Sequence, residues 1–305
     1  MPAVSETNPP AETAWAIIRV AYGNQGIAEL VDGRQAVCVF RRTIGRPLCG
    51  DRVRLERRGA TLAVCEIAAR RNVFVRADRR RQKQEVASNL DQVLIVIAPL
   101  PAPSRDLLER YLVAVHSLGI EPVVVVNKVE LLETSPAETD SAFSHLHEYR
   151  DLGYRVAEVS CKGPPGIDAL HSALSGRSSI LVGQSGVGKS SLVNRLIPDL
   201  ELQTGALSRS TGKGTHTTTT TIMYQLATGG RLVDSPGVWE YGLWDMAADE
   251  LLSGFPEFSA FHGHCRFNDC QHTGEPGCMV AEAANTGKIH SWRYQSYLRL
   301  MAQRA

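Results

Sequence analysis

Gly183-Gln184-Ser185-Gly186-Val187-Gly188-Lys189-Ser190-Ser191 is the stretch that decides how this chain folds. Gly183, Gly188, Lys189 and Ser190 fill the required positions of G-x-x-x-x-G-K-[ST]. The apolar run Ile180–Val182 reads as a strand before it and Lys189–Leu196 as a helix after it, the context the motif needs. The residue types have a chemical reason. Glycines let consecutive backbone N–H groups curl around phosphate oxygens, and the helix N-terminus adds its positive end. Lys189 reaches the terminal phosphates, and the Ser190 hydroxyl is placed to ligate Mg²⁺. Alone, the loop specifies a nucleoside triphosphate and nothing finer.

Upstream, the apolar run Pro122–Val126 ends in Asn127-Lys128-Val129-Glu130, 56 residues before the loop. In nucleotide-binding domains that read guanine, an Asn-Lys-x-Asp motif follows the phosphate loop. A carboxylate there accepts the N1–H and 2-amino protons of guanine, which adenine does not offer in that arrangement. Here Glu130 keeps the two acceptor oxygens on a side chain one methylene longer. Ser160-Cys161-Lys162, ending a later strand, suits a second base-contacting loop whose N–H groups meet the guanine O6. The inverted order of base reader and phosphate loop describes a circularly permuted domain.

Downstream, Asp234-Ser235-Pro236-Gly237 ends the strand Arg231–Val233 in the D-x-x-G form that holds Mg²⁺ and follows a γ-phosphate. Before it, Gly212 to Thr219 offers hydroxyls, and Thr218, in preference to Thr217, is expected to complete the metal shell. Thr219–Thr221 read as the start of an edge strand. The glutamine that commonly follows D-x-x-G is Val238 here. His216 is the nearest residue able to orient an attacking water, since a neutral imidazole can accept its proton.

Cys265, Cys270, His272 and Cys278 lie within fourteen residues. Three thiolates and one imidazole with no water position make a closed structural zinc site. His262 and His264 compete with His272 for the nitrogen position, and His272 has the better spacing. The other cysteines, Cys38, Cys49, Cys65 and Cys161, are scattered and read as reduced thiols.

The rest of the chain sorts around these motifs. From Trp15 to Ala69, five short alternating segments separated by turn residues suggest a small closed β-barrel of the oligonucleotide-binding (OB) type, with an SH3-like barrel giving nearly the same pattern. From Leu90, strands alternate with helices, which implies a parallel sheet covered on both faces. Ser104 is expected to cap a helix over Arg105–Leu118, and Ala281 to Gln303 reads as one helix with Tyr294, Tyr297, Leu298 and Met301 on a face. Residues 1–91 carry 16 Lys/Arg against 10 Asp/Glu, and 92–305 carry 17 against 22. Seven of the basic residues fall between Arg70 and Lys83, which suits either a polyanion or a solvated linker. No apolar run is long enough to span a bilayer. The acidic, proline-bearing start is expected to be a disordered tail rather than a signal peptide, in a cytoplasmic protein. The expected division is a tail over 1–13, the barrel over 14–70, a basic linker over 71–90, the permuted domain over 91–240, and a zinc-binding, α-rich domain with a C-terminal helix over 241–305.

Together these features resemble the circularly permuted GTPases of small ribosomal subunit biogenesis, the RsgA family. The likeness covers the barrel, Arg70-Arg71-Asn72, Asn89-Leu90-Asp91-Gln92-Val93, the loop at 183–191, His216-Thr217-Thr218-Thr219, Asp234-Ser235-Pro236-Gly237 and the zinc ligands. It implies GTP hydrolysis to GDP and phosphate, stimulated by the small subunit late in its maturation. It further implies contacts to rRNA from the barrel and the zinc domain, and a monomeric protein. The family has histidine in place of the usual glutamine, which favours His216 as the catalytic residue; Glu130 departs from the family's aspartate. Two other readings stay open: an RNA-binding module whose nucleotide only sets conformation, and a metabolic ATPase or kinase.

Overall fold

The computed structural model describes residues 13–77, 82–103, 105–132, 142–200, 221–235 and 246–303. Strands β1 (Thr13–Tyr22), β2 (Gln25–Leu30), β3 (Gln35–Phe40), β4 (Arg52–Arg58) and β5 (Thr61–Ile67) pair in the circuit β1–β2–β3–β5–β4–β1. The circuit closes through a parallel β3–β5 contact, with Cys38 opposite Leu62, and an antiparallel β1–β4 contact. That connectivity is the closed five-stranded Greek key of the OB type and settles the choice between barrels. The alternation seen in the sequence fills it: Ile18, Ala28, Cys38, Val53, Leu55 and Val64 point into one core.

The segment expected to be a linker over 71–90 is a hairpin instead, β6 (Val73–Ala77) against β7 (Lys83–Ser88). Its charge hid it: β6 carries Arg76 and β7 opens on the exposed Lys83, Gln84 and Glu85, while Phe74, Val75, Val86 and Ala87 are buried. Of the basic cluster, residues 79–81 lie outside the described residues. The other members have partners: Arg70 binds Asp51, Arg71 binds Asp91, Arg76 binds Gln84 and Lys83 binds Glu250.

The central sheet contains β8 (Gln92–Ile97), β9 (Glu121–Asn127), β10 (Arg155–Val159), β11 (Ser178–Gly183), β12 (Ile222–Gln225) and β13 (Arg231–Asp234), in the order β10-β9-β8-β11-β13-β12. All but β12 are parallel to their neighbours. Alternate residues of β8 and β9 enter two cores, which is why both strands read as continuous apolar runs. On one face Val93, Ile95, Val124 and Val126 meet helix α1 (Arg105–Ser117) and α2 (Leu146–Asp151). On the other, Leu94, Val96, Val123 and Val125 meet α3 (Asp168–Leu174) and α4 (Lys189–Leu196). The threonine run leads into β12, but β12 is no edge strand: it lies between β13 and the barrel's β1, through Val20 opposite Ile222. Barrel and central sheet thus form one eleven-stranded hydrogen-bonded sheet. Ser104, the expected cap of α1, lies outside the described residues.

The C-terminal region adds α5 (Ala248–Ser253), α6 (Met279–Asn285) and α7 (Ser291–Ala302). The single helix expected over 281–303 is therefore two, separated by a turn over 286–290 that ends α6 with Lys288 N–H bonded to Ala283 O. Tyr294 and Tyr297 are buried as expected, joining Phe255 and Phe258 in the same core as α1. Among the described residues no helix is long and apolar enough to cross a membrane.

Candidate functional site

The phosphate loop starts where β11 runs out against β8. Gly183 sits at φ +143°, and a Cβ there would stand 2.3 Å from the Val96 carbonyl oxygen. Gly188 sits at φ +93°, and a Cβ there would stand 2.4 Å from Asn127 Nδ2. Both glycines are therefore demanded by their neighbours as well as by phosphate chemistry. The base-reading loop is stapled to this turn. Asn127 Nδ2 donates to Val187 O at 2.9 Å, and Lys128, in the left-handed region, donates from Nζ to Gly186 O and Leu100 O at 2.7 Å each. Two motifs 56 residues apart in sequence are brought to one edge of the sheet, at the carboxyl ends of β9 and β11.

Among the described residues, three acceptors at this edge are buried without a hydrogen-bond partner: Asn127 Oδ1, Glu130 Oε2 and Gln184 Oε1. Buried polar atoms are ordinarily paired, so orphaned acceptors in the base reader fit a ligand that brings donors, as the guanine edge does. Val129 and Glu130 lie in a short 3-10 turn, Val129–Leu131. The third loop arrives beside them. Ser160 Oγ accepts from the Lys162 and Gly163 N–H groups at 3.1 and 2.9 Å, which fixes the Ser160-Cys161-Lys162 turn. Burial pushes the Cys161 thiol above its ordinary range, opposed by nearby Arg195 and reinforced by Glu130.

Lys189 is 3% exposed, and its Nζ donates to Gly183 O at 2.7 Å and Gln184 O at 2.5 Å. Burial lowers it to about 8, so a phosphate anion would restore the charge that the interior disfavours. Ser185, Gly186, Ser190 and Ser191 are exposed on the loop and the first turn of α4, while Val187 is buried beneath it. Asp234 ends β13 next to β11, and burial raises its pKa with no cationic side chain among the causes. A half-buried carboxylate and the Ser190 hydroxyl are hard oxygen donors, the kind Mg²⁺ takes. Thr221 Oγ1 and Ser235 Oγ hydrogen-bond at 2.9 Å, tying together the two chain segments that lead to the switch motifs. His216, Thr217, Thr218, Thr219 and Gly237 lie outside the described residues.

The four sulfur and nitrogen ligands predicted at 265–278 do converge. Their ligand atoms all lie within 4.8 Å of one another. His272 Nδ1 is 3.5 Å from Cys265 Sγ, 3.5 Å from Cys270 Sγ and 3.4 Å from Cys278 Sγ. Bonds of about 2.3 Å to sulfur and about 2.0–2.1 Å to nitrogen at a tetrahedral centre place N and S about 3.5 Å apart, so the residues fit one zinc ion. Met279 N–H donates to Cys265 Sγ and Ala281 N–H to Cys278 Sγ, which favours thiolates.

The competition among histidines resolves into two roles. His272 Nδ1 is the nitrogen that would face the metal, and His262 Nδ1 lies 3.0 Å from His272 Nε2, where it helps fix the ring's orientation. His264 is exposed and takes neither role. A supporting shell that the sequence pattern does not announce surrounds this knot. Tyr294 and Tyr297 hydroxyls donate to the carbonyls of His272 and Gln271 from α7. Below them, fully buried Arg293 pairs with Glu109 of α1 and with Glu257, and Tyr149 donates to Glu109 Oε1 at 2.5 Å. An arginine inside an otherwise apolar helix face was the only signal for it.

Comparison with known proteins agrees with this geometry. The family model described as RsgA GTPase matches residues 67–244, more than half of the chain. The small ribosomal subunit biogenesis GTPase RsgA of Chromohalobacter salexigens is 44% identical over 266 residues, covering 87% of this chain and 77% of that protein. Its namesake from Pseudomonas aeruginosa is 42% identical over 295 residues, covering 96% and 86%. Among solved structures, YjeQ from Thermotoga maritima superposes with a TM-score of 0.75 at 28% identity, over 96% of this chain and 98% of that one. YloQ, described as a circularly permuted GTPase, has the same fold with a TM-score of 0.74 over 98% of each chain.

Proposed function

The chain belongs to the RsgA GTPase family, and from that premise we propose that it acts on the small ribosomal subunit. It is a GTP-hydrolysing enzyme. In this reading it binds the subunit late in its maturation and turns GTP and water into GDP and phosphate, faster on the subunit than off it. The observation that carries the guanine assignment is the pair of orphaned buried acceptors, Asn127 Oδ1 and Glu130 Oε2, on a loop bonded to the phosphate loop.

The chain's own residues divide the work. Asn127, Lys128, Val129 and Glu130, with Ser160, Cys161 and Lys162, hold the base. Residues 183–191 wrap the phosphates, and Lys189 exchanges its bonds to Gly183 O and Gln184 O for β- and γ-phosphate oxygens. Ser190, Thr218 and Asp234 would hold Mg²⁺, which neutralises charge building on the phosphate oxygens, and Gly237 follows the γ-phosphate. His216 orients the attacking water, the task left open by Val238. Cys265, Cys270, His272 and Cys278 would hold one structural Zn²⁺. The barrel and the zinc knot are the rRNA-facing parts of a monomeric, cytoplasmic protein.

Hydrolysis rates of wild type and His216→Ala, each with and without purified small subunits, test this reading. The expected result is stimulation of the wild type by subunits and its loss in the variant. Equal wild-type rates with and without subunits would sink the assignment and leave a nucleotide-set RNA-binding module. Displacement of labelled GTP by excess ATP would retire the guanine preference.

A further inference from the structure

A second cleft lies at the opposite end of the central sheet from the phosphate loop. It measures about 320 Å³ and opens along the seam between barrel and sheet. Ile17 and Arg52 line it from the barrel, Arg71 and Asn89 from either side of the hairpin, and Ser178, Met223 and Arg231 from the sheet. Ser178 and Arg231 are the first residues of β11 and β13, so the cleft sits at the amino ends of strands whose carboxyl ends carry Gly183 and Asp234.

Its charge is one-sided. Three guanidiniums line it and, among the described residues, no carboxylate does. The neighbouring acids are shared or turned away. Arg71 is held by Asp91 Oδ1 at 2.8 Å and by Asn89 O. Arg231 shares Glu29 with Arg19, at 3.4 Å for its own contact, and its Nε is buried without a hydrogen-bond partner. Arg52 has no ion pair among the described residues; it lies over the Trp15 ring, 4.8 Å from the centroid. Three guanidiniums therefore line one concave surface, one without an ion pair among the described residues and one sharing its carboxylate with buried Arg19, with apolar walls from Ile17, Ala68, Ala69 and Met223.

We propose that this seam is an anion site for a phosphate group, separate from the nucleotide site. Guanidinium forks match phosphate oxygens in geometry and charge, and three converging from different elements suit a multiply charged group better than a single carboxylate. The cleft's volume falls within the range of about 300–1,000 Å³ usual for small-ligand pockets, enough for pyrophosphate or one sugar–phosphate unit. The phosphate comes either from a free phosphorylated ligand or from an RNA backbone threading the seam. The site stands on its own residues, not on the GTPase assignment.

The test uses the full chain with the phosphate loop saturated by GDP and magnesium buffered in excess. Pyrophosphate, and separately a single-stranded RNA oligonucleotide lacking terminal phosphates, are titrated by calorimetry into wild type, Arg52→Gln and Arg52→Gln/Arg231→Gln. The double variant should bind at least about tenfold more weakly, the loss of more than one charge-assisted contact. For RNA, the slope of log affinity against log salt should fall by about two. Arg52 is exposed and makes no ion pair among the described residues, so its substitution alone must weaken binding even if Arg231→Gln loosens the seam. Binding of pyrophosphate that these substitutions weaken identifies a free-ligand site; binding of RNA alone with the same sensitivity identifies a backbone site. Titrations that show neither ligand, or affinities equal to wild type in the double variant, overturn the proposal. GDP affinity measured alongside stays unchanged if the site is separate, and its loss would instead point back to the nucleotide site.

Discussion

In the central sheet every residue of β8 is buried, whereas between Ser259 and Gly277 only His272 is, and no helix or strand forms there. The sheet holds its shape by removing apolar surface from water and pairing its backbone, and its functional loop is a by-product of where two strands end. The knot at 265–278 buries little besides His272 and Cys278, and its side-chain donors gather around a point. The two regions therefore fail differently. A sheet tolerates the loss of its ligand; the knot without one is left with hydrogen bonds to α7, the Glu275 carboxylate's bonds to the Gln271 and Thr273 N–H groups, its backbone turns and the packing of its cysteines against the core.

The largest effect should follow from stripping the metal. Structural zinc is worth about 10–16 kcal/mol in small peptides, so chelation or Cys270→Ser should abolish hydrogen-exchange protection in 262–278 while β8, β9 and β11 stay protected. Retained protection in the metal-free protein would mean that packing holds the knot and would break the contrast. Elemental analysis should find one zinc per chain.

Next comes the join between the regions. Glu109→Ala leaves the Arg293 guanidinium buried and only partly paired, which is expected to cost about 3–5 kcal/mol in denaturant unfolding. Melting of the C-terminal region ahead of the sheet would sharpen the comparison; one cooperative loss would show that both regions unfold as a unit.

Within the sheet, Lys189 gives a pH signature. Burial holds it at about 8, below an ordinary lysine, and bound phosphates raise it again. Binding then takes up a proton above pH 8, so nucleotide affinity should be full well below that value and decline by an order of magnitude or more, roughly thirtyfold at most, as pH rises to about 9.5. The same lowering means that the folding penalty of this charged lysine is complete below pH 8 and eases as pH rises toward the unfolded value. An affinity flat from pH 7 to 9.5 would remove the buried lysine from the account. The smallest effect is expected from Glu130→Asp, a change of a few-fold in GDP affinity with the preference over ADP kept. Loss of that preference would show that the loop depends on the longer carboxylate.

Where backbone and burial dictate structure, the chain was readable. Gly183 and Gly188, the β8 and β9 runs and the barrel alternation gave the three-part architecture, the permuted order and the phosphate loop, because each carries its own periodicity or steric demand. Cys265, Cys270, His272 and Cys278 were readable from spacing, but the division of labour between His272 and His262 needed three dimensions. The hairpin over Val73–Ser88 was missed because an irregularity between Phe74 and Val75 breaks its period of two and Lys83-Gln84-Glu85 opens its second strand with polar residues. Long-range partners left no local trace either: Asp51 accepts from Arg70 and Ser88, residues its own sequence surroundings do not announce.

The Arg293–Glu109 pair also bears on the order of assembly. Its partners stand 184 residues apart, on the last helix and on the first helix of the central sheet. A contact of that span repays its loop-closure entropy only after the intervening sheet has condensed. The barrel and sheet should therefore form first, and α7 should latch onto α1 last, carrying the zinc knot into place. In pulse-labelled refolding, the amides of α7 would gain protection after those of β8 and β9, and simultaneous gain would contradict this sequence. A nascent or truncated chain would then hold a finished nucleotide pocket while its C-terminal region was still undocked, so loading with nucleotide and competence to grip a partner become separate milestones in the protein's own synthesis.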